Sequence, residues 1–170
     1  MRLIFAPLIK NTVMWKGYLA LLLLLPPLWG QASDRKGRVV ADDILGIYMI
    51  YEHRSQETVH LSFYNADNGD YEARIVWMEQ PTDDLGKPRT DVNNPRAAYR
   101  HIPLSHLVIV RGLRFDAKSG QWENGRIYDP STGKTYRCFV RFEEDGQTLR
   151  VKCYVGFRFL GRSLYWNKIV

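Results

Sequence analysis

The sequence predicts an all-β domain, an eight-stranded up-and-down antiparallel barrel, on three observations. Eight apolar, aromatic and β-branched runs follow one another, most of the turns between them are short, and one pair of runs sets in a register that puts its apolar residues on one face. Short successive turns pair each strand with its neighbour. Eight strands is also a number that closes a small barrel with no free edge. An open sandwich is the alternative.

The first element is a targeting signal rather than a strand. Tyr18 to Trp29 reads YLALLLLLPPLW, follows a stretch whose only charges are Arg2, Lys10 and Lys16, and runs into the small-x-small triplet Gly30-Gln31-Ala32. This order predicts a signal peptide over residues 1–32 and an exported protein, periplasmic or extracellular. The apolar run is shorter than the roughly 20 residues that span a bilayer, and Pro26 and Pro27 interrupt its end, so a transmembrane anchor is not expected. Residues 33–43 are polar and without period, which reads as a flexible leader before a barrel domain over 44–170. Three of the 24 basic side chains lie in the signal segment. The remainder sets 21 basic against 18 acidic side chains, a net charge of +3, which gives no case for a nucleic-acid partner.

The predicted strands are Ile44 to Tyr51, Thr58 to Tyr64, Tyr71 to Met78, Leu104 to Phe115, Trp122 to Tyr128, Thr135 to Phe142, Thr148 to Val155 and Ser163 to Ile169. Asp67-Asn68-Gly69-Asp70 supplies a hairpin turn, because Asn-Gly tolerates positive φ at both central positions. Asp116 to Gly120, Asp129 to Gly133 and Glu143 to Gln147 supply three more. Glu79 to Pro103 is too long for a hairpin and holds four prolines, so it reads as a lid or a packed excursion. Within it Asn94 and Pro95 form a helix-start signal for a turn or two over Arg96 to Arg100.

The two cysteines, Cys138 and Cys153, fall in the sixth and seventh runs. A turn centred on Asp145-Gly146 opposes Phe142 with Leu149, Val140 with Val151 and Cys138 with Cys153, while Arg137, Arg141, Arg150 and Lys152 take the other face. In an exported chain this register predicts a disulfide, with two buried thiols as the alternative. A Cys-x-x-Cys redox motif is absent from the sequence.

Chemistry-bearing residues form no catalytic pattern. His53, His60, His101 and His106 lack metal-ligand spacing, no Gly-x-Ser-x-Gly elbow occurs, and no cofactor motif is present. Asp83, Asp84, Asp91, Asn93 and Asn94 concentrate oxygen atoms in the long connection without the glycine and distal glutamate of a calcium loop, and turn formation is the stronger reading of them. Arg89 with Arg96 or Arg100 could clamp an anion from the same segment.

Several segments carry a family resemblance: Ala73-Arg74-Ile75-Val76-Trp77, Gly86-Lys87-Pro88 with Asp91 and Asn93-Asn94-Pro95, Trp122-Glu123-Asn124-Gly125-Arg126-Ile127-Tyr128-Asp129-Pro130, Gly133-Lys134-Thr135-Tyr136, and Leu149-Arg150-Val151 followed by Gly161-Arg162 and Trp166. In this order they resemble the exported bacterial domain of unknown function 2147 (DUF2147). The resemblance implies a lipocalin-like barrel and no established activity. Two departures are Tyr48, where the family commonly has the tryptophan of Gly-x-Trp, and Cys153, where glycine is frequent. The lipocalin-like arrangement further implies that Gly46 and Tyr48 meet a basic residue of the last strand at one end of the barrel, for which Arg162 is the choice and Lys168 the competitor. An arginine can both stack on the ring and bond loop carbonyls.

The leading functional expectation is a module that binds a small apolar or amphipathic ligand. Its candidate ligand-binding residues are Trp77, Trp122 and Tyr128 on strands, with Asp91, Asn93 and Lys134. The alternative is a cell-envelope interaction or structural protein with a filled barrel core. An enzyme using the acidic loop residues ranks last, for want of a nucleophile.

Overall fold

Each of the eight runs forms a strand. The structure, a computed structural model, describes residues 37–170, so the signal segment and residues 33–36 lie outside the described residues. The strands are β1 (Gly46–Glu52), β2 (Glu57–Asn65), β3 (Tyr71–Met78), β4 (Val108–Asp116), β5 (Gln121–Asp129), β6 (Lys134–Phe142), β7 (Thr148–Tyr154) and β8 (Arg162–Lys168). They pair antiparallel in sequence order and close into a barrel. The fourth strand begins later than expected. Pro103 opens a 3-10 turn over Leu104–His106 that drops Leu104 into the core before the chain straightens at Val108. Among the described residues no helix is long and apolar enough to cross a membrane.

Closure rests on a thin seam. β1 and β8 share the register pairs Tyr48–Lys168 and Met49–Asn167, extended by Ile47 N–H donating to Val170 O (2.8 Å) and Ile169 N–H donating to Ile47 O (2.8 Å). Gly46 permits this seam. Its φ of +132° lies where a side chain is strained, and an added Cβ would lie on the Val170 carbonyl.

The two ends of the barrel differ. At one, the last residues of the expected flexible leader fold together with Ile44, expected in the first strand, into a 3-10 turn, Ala41–Ile44, that plugs the ring. Three interior side chains hold it: Trp122 Nε1 donates to Ala41 O (3.0 Å), Tyr48 Oη to Ile44 O (3.0 Å) and Tyr71 Oη to Asp42 Oδ1 (2.6 Å). Burial pushes the Tyr48 hydroxyl well above its ordinary value, and the charge of Asp43 adds to it. Burial, the bond to Asp42 and its charge push Tyr71 up to about 12. Behind the plug, aromatic rings fill the lumen, Tyr48 edge-on to Phe63 (5.4 Å between centroids), Trp122 edge-on to Phe142 (5.7 Å) and Phe115 tilted against Trp122 (5.1 Å).

Lys168, and not Arg162, is the basic residue of closure. Its Nζ lies 5.8 Å from the centre of the Tyr48 ring and donates to Asp43 O (2.8 Å). Arg162 pairs with Cys153 at the opposite end. Strand direction decides this: β8 begins at Arg162 beside the end of β7 and runs toward the plug, so only its last residues reach Tyr48.

The β6–β7 hairpin has the register read from its alternation, from Phe142–Leu149 to Cys138–Cys153. The expected disulfide is nevertheless corrected to two thiols. Directly opposed Cβ atoms stand about 4.5–5.5 Å apart, wider than the roughly 3.8 Å typical of a disulfide, and the Cys138 sulfur leans toward the other neighbouring strand. It lies over Gly125 of β5, so close that a Cβ added there would be 2.9 Å from it. Burial raises both thiols, Cys153 to about 11.

Candidate ligand-binding cavity

Where the aromatic filling stops, the lumen opens. The interior positions on this side carry short or aliphatic side chains, Ile50 on β1, Val59 and Leu61 on β2, Ile75 on β3, Ile127 on β5 and Leu164 on β8. Two concavities result, of about 630 Å³ and about 590 Å³, which share the wall residues Ile50 and Ile109 and the rim residues Arg54 and Asp129. The first runs under the long β3–β4 connection, floored by Val59, Leu61, Ile75, Met78 and Leu104. The second runs toward the β7–β8 connection and is lined by Ile127, Tyr136, Leu164 and Trp166. Either volume falls in the range of small-molecule sites, and an apolar floor under a rim of polar and charged side chains, Glu52, Arg54 and Asp129 among them, suits an amphipathic molecule.

The long connection, residues 79–107, is a packed excursion held to the barrel rim by side chains. Glu79 Oε2 accepts from Thr58 N–H (2.8 Å) at its start. Glu57, 2% exposed at the head of β2, takes both its oxygens to Arg89 Nη1 at 2.8 Å, and the same nitrogen donates to Gln80 O. Asp91, fully buried, accepts from Tyr128 Oη (2.7 Å) and from Asn94 Nδ2 (2.7 Å). Burial first, then that bond and the Asp91 charge, raise the Tyr128 hydroxyl above its ordinary value. Asn93 Nδ2 donates to the carbonyls of Pro130 and Ser131 in the β5–β6 turn. Asp129 in that turn is held below the usual carboxylate range: burial opposes ionisation, but the hydroxyls of Ser131 and Thr132 and the nearby Arg54 outweigh it.

The sequence-derived candidates divide in the structure. Asp91, Asn93 and Tyr128 converge on the rim, Asn93 beside the first cavity and Tyr128 beside the second. Trp77 faces solvent, 46% exposed, with its ring 4.5 Å from that of His60. A bulge moved it: β2–β3 pairing slips between His60–Trp77 and Leu61–Ile75, so Val76 is extra and the parity reverses. Trp122 belongs to the plug, where it is fully buried. Lys134 opens β6, exposed and opposite Asp129 in register. Gly46 and Tyr48 stand at the plugged end, and Arg162 at the rim of the second cavity. No arginine clamp forms in the long connection, since Arg89 is committed to Glu57, Arg100 Nε donates to Asn94 O (2.9 Å) and Arg96 lies over Tyr99. Its acidic residues make turns, Asp83 Oδ1 accepting from the N–H groups of Leu85 and Lys87.

Sequence reasoning singled out Arg89 but missed its partner Glu57, although one signal was present. Glu57 stands in phase with Val59, Leu61 and Phe63, so strand alternation points it inward, where a carboxylate needs a cation. The expected helical turn after Asn94 shrinks to a 3-10 turn, Ala97–Tyr99, with Asn94 Oδ1 accepting from Arg96 N–H (2.9 Å).

Among solved structures, the fold resembles that of protein HP1028 from the human pathogen Helicobacter pylori, described as belonging to the lipocalin family, with a TM-score of 0.61 and 22% identity over 75% of this chain and 83% of that one. No curated protein matches the chain. The likeness to that solved structure is one of fold, whereas residues 46–168 match the model of a family of uncharacterised proteins conserved in bacteria, DUF2147, and the chain belongs to that family.

Proposed function

We propose that the chain is an exported binding protein that holds a small apolar or amphipathic molecule in the open half of its barrel. The observation that carries this reading is the division of the lumen, aromatic and filled beside Tyr48, aliphatic and hollow around Ile50 and Ile109. A barrel built only as a scaffold has no use for cavities of about 630 and 590 Å³, because unfilled apolar volume weakens dispersion contacts. The rim pairs Arg54–Asp129 and Arg89–Glu57 are neutral overall, which suits a polar or weakly charged end group more than a strong acid. Export is the proposal of the N-terminal segment, and N-terminal sequencing of the protein recovered from its host should begin at Ser33.

The test is binding of the uncharged probe N-phenyl-1-naphthylamine to protein purified from its host and stripped of lipid, with native mass spectrometry before stripping. Saturable binding is expected, lowered at least tenfold by Ile109→Phe or Leu164→Trp, which fill the shared and second walls. Trp77→Ala, on the outer face, should leave it unchanged. Absence of saturable binding, or equal binding in both folded wall variants, overturns the reading.

A further inference from the structure

The β7–β8 connection turns apolar side chains to water. Val155, Phe157, Phe159 and Leu160 are 74%, 68%, 76% and 71% exposed, and the rings of Phe157 and Phe159 stack at 5.7 Å. Contiguous exposure of this kind marks an interaction surface. The segment is bolted to the wall by Arg158, whose guanidinium lies 4.1 Å from the Phe139 ring and pairs with Glu123 (2.9 Å). Next to it, Arg126 of β5 and Arg137 of β6 stand directly opposite each other, both exposed, in a groove closed by Tyr154, Val155 and Gly156. Like charges opposed across strands repel. Their basic neighbours are neutralised, Arg111 by Glu72 and Arg158 by Glu123, while this pair has no carboxylate partner among the described residues.

We propose that this loop and the Arg126–Arg137 pair form a docking surface for an anionic lipid bilayer. Phe157 and Phe159 enter the boundary between headgroups and acyl chains, and the two guanidiniums take lipid phosphates. Aromatic side chains flanked by cations fit that interface, where apolar depth and negative charge lie within a few ångströms of each other. Two uncompensated guanidiniums call for anions, and a bilayer supplies them beside an apolar layer. Leu160 and Gly161 also line the second cavity, so docking sets that opening against the membrane. The inference stands apart from the cavity reading, because a solid barrel would dock equally well.

The experiment is co-sedimentation of the protein recovered from its host with vesicles of phosphatidylcholine alone or with about one-third phosphatidylglycerol, read together with amide hydrogen exchange. Binding to the anionic vesicles is expected, with new protection over 155–161 and none over the hairpins 117–120 and 143–147 at the other end. Phe157→Ser/Phe159→Ser should lower partitioning about tenfold. Arg126→Gln/Arg137→Gln should do the same on anionic vesicles only, and both variants should keep parental binding of N-phenyl-1-naphthylamine, whatever its level. Absence of vesicle binding, parental binding in both variants, or protection over 155–161 that needs no lipid and vanishes on dilution, the sign of a second copy, each overturns the proposal.

Discussion

Trp122 and Trp166 both point into the barrel, and they differ in one bond. The Trp122 indole N–H reaches Ala41 O, whereas that of Trp166 is buried with no acceptor among the described residues. Replacement by phenylalanine removes similar volume at each site, but at 122 it orphans a carbonyl and at 166 it removes an unpaired donor. Trp122→Phe is therefore expected to cost about 1–2 kcal/mol more than Trp166→Phe in urea denaturation. The tyrosines make a pH prediction. Tyr48, Tyr71 and Tyr128 are all raised in the folded protein, so the native state favours the protonated phenol. Their contribution is full below the unfolded value of about 10 and is lost as pH rises from there through the folded values, at up to about 1.4 kcal/mol per pH unit for each group. The urea midpoint should hold steady from pH 6 to 8, begin to fall near pH 9 as the two thiols raised by burial lose their contribution, and fall further between 10 and 12, where the decline is less steep in Tyr71→Phe. At this scale the sequence shows which residues are apolar but not always where they point. Trp77 is in phase with Tyr71, Ala73 and Ile75 on paper, and one bulged residue, Val76, puts it outside.

Among the elements, the hairpins were the most legible and the long connection the least. Alternation fixes β6 against β7 because a slip of one residue would turn its apolar face to water. The clamps of the connection join residues far apart in sequence, Glu57 to Arg89, Asp91 to Tyr128 and Asn93 to the turn at Pro130, and no local pattern encodes such pairs. The Glu57 carboxylate is the buried partner of the first clamp, so removing the arginine leaves a charge without compensation. Arg89→Ala is expected to destabilise by about 2–4 kcal/mol in urea, while the double variant Arg89→Met/Glu57→Met recovers most of the loss. An equal loss in the single and double variants would show that packing, and not the orphaned charge, sets the cost. Asp91→Asn keeps the shape and weakens the bond from Tyr128, and should lower the melting temperature by a few degrees without changing probe binding.

For the whole molecule, the count of strands and their order were readable because every connection but that between β3 and β4 is short, but the asymmetry of the ring was not. Which half fills depends on which interior residues share a level, and that follows from the tilt of the strands and from bulges such as those at Val76 and between Trp122 and Gly125. The plug was hidden because Ala41 to Ile44 is too short to show a period and finds its partners in β1, β3 and β5. Gly46→Ala strains the seam at its tightest point and is expected to cost about 2–4 kcal/mol, read as a lowered urea midpoint. Between β1 and β8 the ladder is two register pairs long, against seven between β1 and β2. Arg38 Nη2 donates to Ala117 O (3.3 Å) and Val170 lies against Gly46, both at the plugged pole, and every strand hands on to its spatial neighbour. The strand order is therefore cyclic in space, and a flexible linker across the plugged pole from 170 back to 37 would let the chain be cut instead at the Glu143–Gln147 turn, yielding a permuted protein with the same lumen and the two strands of the weak seam tied into one chain segment.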